Sequence, residues 1–114
     1  MTFQELTDEL MRLYSQGKYA DALEIVEQNA DRFPVQAART TYWRMCLLSM
    51  TGRPNDMLTL FRRGLDSGFW WAEQQFVVET DFDPVRELPE FQRLVAESDR
   101  KCNEMQEQGK PDRT

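Results

Sequence analysis

Apolar residues recur every three or four positions through most of this chain, and the stretches that carry them are punctuated by glycine or proline. Phe3, Leu6, Leu10 and Leu13 make one helical stripe, which Gly17 ends. Thr2 and Glu5 stand ahead of it at the spacing of a capping box, the hydroxyl accepting from one end of the first turn while the carboxylate reaches back. A second stripe of Tyr19, Ala22, Leu23, Val26 and Ala30 predicts a helix from about Lys18 to Arg32, stopped by Pro34. The third helix is predicted over Val35 to Met50. It carries Ala38, Tyr42, Met45 and Leu48 on one side with Trp43, Leu47 and Met50 flanking them, so it is expected at the centre, packed on both sides. Gly52 ends this helix, and Pro54 suits the first position of the next, where a missing amide proton costs nothing. Met57, Leu58, Phe61 and Leu65 then mark a fourth helix that stops at Gly68.

These four helices read as one hairpin written twice. Gly17, Tyr19, Ala22 and Leu23 recur 35 residues later as Gly52, Pro54, Met57 and Leu58, and Pro34 falls one position from Gly68 at the same offset. Repeats of this length build stacked hairpins that present a surface. The last third departs from the pattern. Phe69, Trp70 and Trp71 are expected to open a short helix that includes Phe76 and ends near Glu79; Asp81 and Asp83 then read as cap residues, with Pro84 starting a single turn through Leu88. Pro89 starts a longer helix whose Phe91, Leu94, Val95, Cys102 and Met105 mark one face, placed to cover the open end of the stack. Residues 1–108 are thus expected to form one all-α domain of two antiparallel hairpins, a short helix and a capping helix, and residues 109–114 a tail or linker.

Composition narrows the function classes. The 114 residues, 40% hydrophobic and 30% charged, suit a single globular domain, and a formal charge of −6 opposes binding to nucleic acid or to an acidic membrane surface. No stretch approaches the roughly 18 to 20 apolar residues of a membrane span. Met1 to Glu5 has neither the basic start nor the apolar run of a secretory signal, and Cys46 and Cys102 read as reduced, so a cytoplasmic location is expected.

The absence of histidine removes the Ser-His-Asp and Cys-His nucleophile systems and the commonest metal ligand together. Cys46 lies mid-helix between Met45 and Leu47, where no base or helix N-terminus would activate it, and Cys102, although it follows Arg100 and Lys101, reads as helical packing. Asp81 and Asp83 are better explained by capping than by metal, since no third carboxylate or glycine follows at the spacing of a calcium loop. Glu24, Glu27 and Asp31 form a solvated face. No catalysis, cofactor or metal is therefore expected. Trp70 and Trp71, read as neighbours on a helix, diverge by about 100 degrees and are not expected to share a pocket, so one should be core and the other partly exposed.

Tyr14, Gly17, Tyr19, Ala22, Val26, Ala30 and Pro34 match or adjoin the small, aromatic and closing-proline positions of the tetratricopeptide repeat, and residues 3–34 resemble one unit of that family. Residues 37–68 keep Leu48, Gly52 and Phe61 but place Met57 where the family prefers alanine and lack the closing proline. The resemblance implies a concave groove lined by the first helix of each hairpin, here Gln4, Thr7, Met11 and Tyr14 facing Arg39, Tyr42, Cys46 and Ser49, and a protein or peptide as partner. The lysine and asparagine clamp of some members is not inherited, because Thr7 and Met11 stand there. The run Gly68, Phe69, Trp70, Trp71, followed by Asp81, Phe82, Asp83, Pro84, Val85 and Arg86, resembles the segment that closes many bacterial repeat proteins. Domains of that kind also precede bacterial α/β-hydrolase domains. Two readings follow: a non-catalytic interaction or scaffolding domain, or an accessory or oligomerisation domain of such a hydrolase, with the hydrolase domain or a second copy as partner. Tyr14, Arg39, Tyr42, Met11 and Trp70 are the expected contacts.

Overall fold

In the computed structural model of the chain, residues 1–109 are described, and their regular structure is entirely helical. The capping box forms as the sequence predicts: the Glu5 amide donates to Thr2 Oγ1 at 3.1 Å and the Thr2 amide to Glu5 Oε1 at 3.2 Å, opening α1 (Phe3–Ser15). Helix α2 runs from Tyr19 to Asn29 and tightens into a 3-10 turn over Ala30–Arg32, short of the continuous helix expected. The reason lies at Phe33, which precedes Pro34 and is therefore held out of the α region, at φ −129° and ψ 63°. A second 3-10 turn, Pro34–Gln36, leads into α3 (Ala37–Met50), so Val35 falls outside that helix and is 93% exposed.

Helix α4 (Pro54–Asp66) completes the second hairpin. Helices α1, α3 and α4 end in the same manner. Gly17, Gly52 and Gly68 take positive φ, and the residue after each donates five residues back, Lys18 to Leu13, Arg53 to Leu48 and Phe69 to Gly64, at 2.9–3.0 Å. This Schellman closure satisfies carbonyls that the helix itself cannot, and it turns each chain end back along the stack.

Beyond Gly68 the expected helix through Trp70 and Trp71 is absent. Those residues are irregular, and the helix, α5, is confined to Glu73–Val77. The backbone of Trp71 is instead bonded to Ser98, whose hydroxyl accepts from its amide and donates to its carbonyl, both at 2.7 Å, and helical bonding at that residue is thereby replaced. A 3-10 segment over Thr80–Val85 leads into α6 (Pro89–Gly109). Phe91, Leu94, Ser98 and Cys102 are the buried stripe of α6, while Met105, expected on that face, is 48% exposed. The expected tail at 109–114 is helical at Gly109, and Lys110 to Thr114 lie outside the described residues.

As its pattern predicts, α3 is central, packed by α2, α4 and the 3-10 segment, and Met45 to Ser49 are buried without interruption. Phe76 is the hub of the core beside it. Its ring lies 5.1 Å from that of Phe61, 5.2 Å from Phe82, 5.9 Å from Phe91 and Tyr42, and 6.4 Å from Trp71, spacings at which aromatic pairs attract. Both cysteines are free and buried. Among the described residues no helix is long and apolar enough to cross a membrane.

Two kinds of glycine should respond differently to alanine. At Gly17 and Gly52 a Cβ would meet nothing within 4 Å, so each replacement should cost about 1–2 kcal/mol through the left-handed backbone alone. At Gly64, inside α4, a Cβ would sit 3.0 Å from Cη2 of Trp71, a ring held by the cluster. Gly64→Ala should therefore lower stability despite the roughly 1 kcal/mol gain in helix propensity. Urea unfolding of the three variants checks this, and a more stable Gly64→Ala would contradict it.

Candidate functional site

The inner face of the hairpins, where α1 and α3 lie side by side, is partly filled by the segment from Glu79 to Arg86. Asp81 fastens it. Tyr14 on α1 donates its phenol proton to Asp81 Oδ1 at 2.6 Å, and Ser49 on α3 donates to the Asp81 carbonyl at 2.8 Å. Asp81 is thus a tie between helices and not the cap expected of it; Glu79 does the capping, its Oε1 accepting from the Asp81 amide at 3.2 Å. Asp83 pairs with Arg86, whose guanidinium also donates to the Phe76 and Glu79 carbonyls, so the turn is braced from within. Tyr42 donates to the Gln75 carbonyl at 2.6 Å.

This arrangement decides which expected groove residues are available. Ser49 is 2% exposed and bonded beneath the 3-10 segment, so it cannot touch a partner, and Cys46, 6% exposed, shows only an edge at the floor of a depression. Gln4 is bonded to Asp8, and the Thr7 hydroxyl to the Phe3 carbonyl of its own helix. Two adjoining depressions remain. The larger, about 520 Å³, is lined by Val35, Arg39, Tyr42, Trp43, Trp70 and Trp71 among others; the smaller, about 240 Å³, by Leu10, Met11, Tyr14, Tyr42, Trp43, Cys46, Glu79 and Asp81. Tyr42 and Trp43 line both. The five expected contacts border these two depressions, Arg39, Tyr42 and Trp70 the larger and Met11, Tyr14 and Tyr42 the smaller. Trp71 is buried and Trp70 is 37% exposed, yet both border the larger depression, because they are not on a helix and do not diverge as one would force them to.

Glu79, Asp81, Trp43 and Gln75 were not among the expected site residues. A signal existed in Tyr14 and Tyr42: a phenol on a half-buried helical stripe needs an acceptor for its proton, and the segment that supplies both acceptors had to cross this face.

The smaller depression disfavours negative charge. Burial raises the pKa of Asp81 above the usual carboxylate value against the lowering effect of the Tyr14 hydrogen bond, with Glu79 adding to the rise. Burial likewise pushes up the Tyr42 phenol and the Cys46 thiol, helped by the nearby Glu79 and Asp81 carboxylates, while Tyr14 is raised chiefly because its proton is committed to Asp81. Cys46 is accordingly an unreactive thiol. Among the described residues no group of three His, Cys, Asp or Glu side chains is placed to hold a metal ion.

Residues 2–106 match the family described as the A/B hydrolase-like N-terminal domain. The chain belongs to that family. An uncharacterized protein from Bacillus cereus ATCC 10987, known from a crystal structure at 2.75 Å, is similar to this hydrolase-like N-terminal domain with a TM-score of 0.83 and 17% identity. The match covers 100% of this chain and 37% of that one, so the domain spans little more than a third of that protein, and at this identity the likeness is one of fold. No curated protein matches the sequence.

The raised pKa of Asp81 makes a signed prediction. A carboxyl that holds its proton more tightly when folded contributes most stability below its unfolded pKa of about 3.9, and loses that contribution as pH rises through the folded value. Asp81→Asn keeps an oxygen for the Tyr14 proton and removes the charge. The variant should be at least as stable as the native domain at pH 7, with the difference shrinking as pH falls toward 4. Thermal unfolding at the two pH values measures it, and a less stable variant at pH 7 would contradict the assignment.

Proposed function

We propose that this domain is a non-catalytic docking module of an α/β-hydrolase-like protein, holding a polypeptide segment, from the hydrolase portion or from a partner protein, in the groove along α1 and α3. The observation that carries the reading is the family match over residues 2–106, to a domain defined by its place ahead of a hydrolase-like one. The groove supplies the means. Its tetratricopeptide-like hairpins are packed before any partner arrives, which lowers the entropy lost on association. Arg39 is exposed and, among the described residues, has no hydrogen-bonded or ionic partner; Trp70 offers apolar area beside it, and the 56% exposed Met11 does so at the smaller depression. Arg and Trp are the residues that most often carry binding energy at interfaces. Tyr14 and Tyr42, whose hydroxyls are committed within the domain, shape the walls.

The chemistry of the chain supports an accessory role. It has no histidine, and its buried thiol at Cys46 is held protonated. The reading is tested by binding to an α/β-hydrolase-fold polypeptide from the same source, with an Arg39→Ala, Trp70→Ala variant as control and an ester-hydrolysis assay of the purified chain. We expect binding that the double substitution weakens by about tenfold or more, and no turnover by the chain alone. Unchanged binding by the variant, or ester hydrolysis by the isolated domain, would overturn it. Tyr42 is unsuited as the control, since it packs on Phe76 and Phe82 and its loss would disturb the core.

A further inference from the structure

We infer that the smaller depression, between α1, α3 and the Glu79–Asp81 turn, is a recognition pocket for the side chain of an arginine or lysine on the bound polypeptide. The inference rests on the groove reading above and adds the chemistry of what the groove selects. The pocket places two carboxylates, Glu79 and Asp81, beside the aromatic side chains of Tyr14, Tyr42 and Trp43. Among the described residues neither carboxylate is in an ion pair, and each has one oxygen without a hydrogen-bond donor. Arg86, which could have neutralised Glu79, donates to its main-chain carbonyl and pairs with Asp83.

An arginine or lysine side chain has an apolar stem and a charged head, and the pocket has the complementary order. Met11 offers an apolar rim for the stem, while carboxylates and aromatic rings await the cation. At about 240 Å³ the pocket admits one long side chain and not a folded segment, and it shares Tyr42 and Trp43 with the larger depression beside it, along which the adjoining main chain would lie. Burial is the main cause of the raised Asp81 carboxyl, and the neighbouring Glu79 carboxylate adds to it; a cation seated between the two would offset that second contribution. A net charge of −6 adds a long-range attraction of the same sign.

The test is a titration of the full chain, followed by amide and indole NMR shifts, with three probes: acetyl-Gly-Arg-Gly-amide, its citrulline counterpart, and n-butylguanidinium. Citrulline keeps the shape of arginine and removes the charge. The arginine peptide should give saturable shifts at Met11, Tyr14, Trp43 and Cys46, and the citrulline peptide should not. Glu79→Gln, which keeps an oxygen for the Asp81 amide and hence the turn, should weaken the arginine peptide by about tenfold, the size of one partly desolvated charge contact. Equal binding of the arginine and citrulline peptides would overturn cation recognition while leaving the groove reading intact. Absence of saturable shifts with the arginine peptide would overturn the pocket itself, whereas the groove reading is tested separately, by the Arg39 and Trp70 variant and the ester-hydrolysis assay. Butylguanidinium binding as tightly as the peptide would overturn the polypeptide as the source of the cation.

Discussion

Phe76 is the contact on which the rest of the molecule depends. Two helical hairpins alone leave an apolar face of α3 and α4 open, and a domain of this size has little core to spare. The chain closes that face with residues that do not belong to the repeat. Phe76 from α5, Phe82 from the 3-10 segment and Phe91 from α6 meet Phe61 of α4 and Tyr42 of α3 in one cluster. Each ring comes from a different element, so the cluster is a tertiary junction and not a local motif. Burying an aromatic side chain contributes on the order of 2–3 kcal/mol apiece, so losing the hub would weaken the terminal segment and the hairpins together.

The junction also explains the shape of the groove. Once Phe76 and Phe82 are seated, the turn between them must pass over α3 at Cys46 and Ser49 and approach Tyr14 on α1. Its polar groups are satisfied there: the Asp81 side chain by Tyr14, the Asp81 carbonyl by Ser49, the Gln75 carbonyl by Tyr42, and the Phe76 and Glu79 carbonyls by Arg86. What would have been one open concavity is divided into two depressions with different character, one beside Arg39 and Trp70, the other beside Glu79 and Asp81. A buried carboxylate with no cation partner among the described residues is an unusual choice where an amide would serve the same hydrogen bond.

The local grammar of the fold was legible in the sequence. Thr2 with Glu5, and Gly17, Gly52 and Gly68 with their positive φ, act within a few residues of themselves, and so their effects follow from spacing. The central position of α3 followed from apolar residues on every side of it. Illegible features were those in which a distant partner overrides local preference. Ser98 removes Trp71 from helix across 27 residues, and Tyr14 recruits Asp81 across 67, so a run of aromatics looked helical and an aspartate looked like a cap. The segment laid over α1 and α3, and with it Glu79 and Asp81, had no periodic signature.

The central claim, that the terminal segment and the hairpins share one core, is tested most directly by native-state hydrogen exchange. Amides of α3 from Met45 to Ser49 and those of Phe82 and Val85 in the 3-10 segment should open with the same free energy, and Phe76→Leu should lower both together. Opening of residues 69–109 at a distinctly lower free energy, with α1 to α4 still protected and unaffected by the substitution, would contradict it.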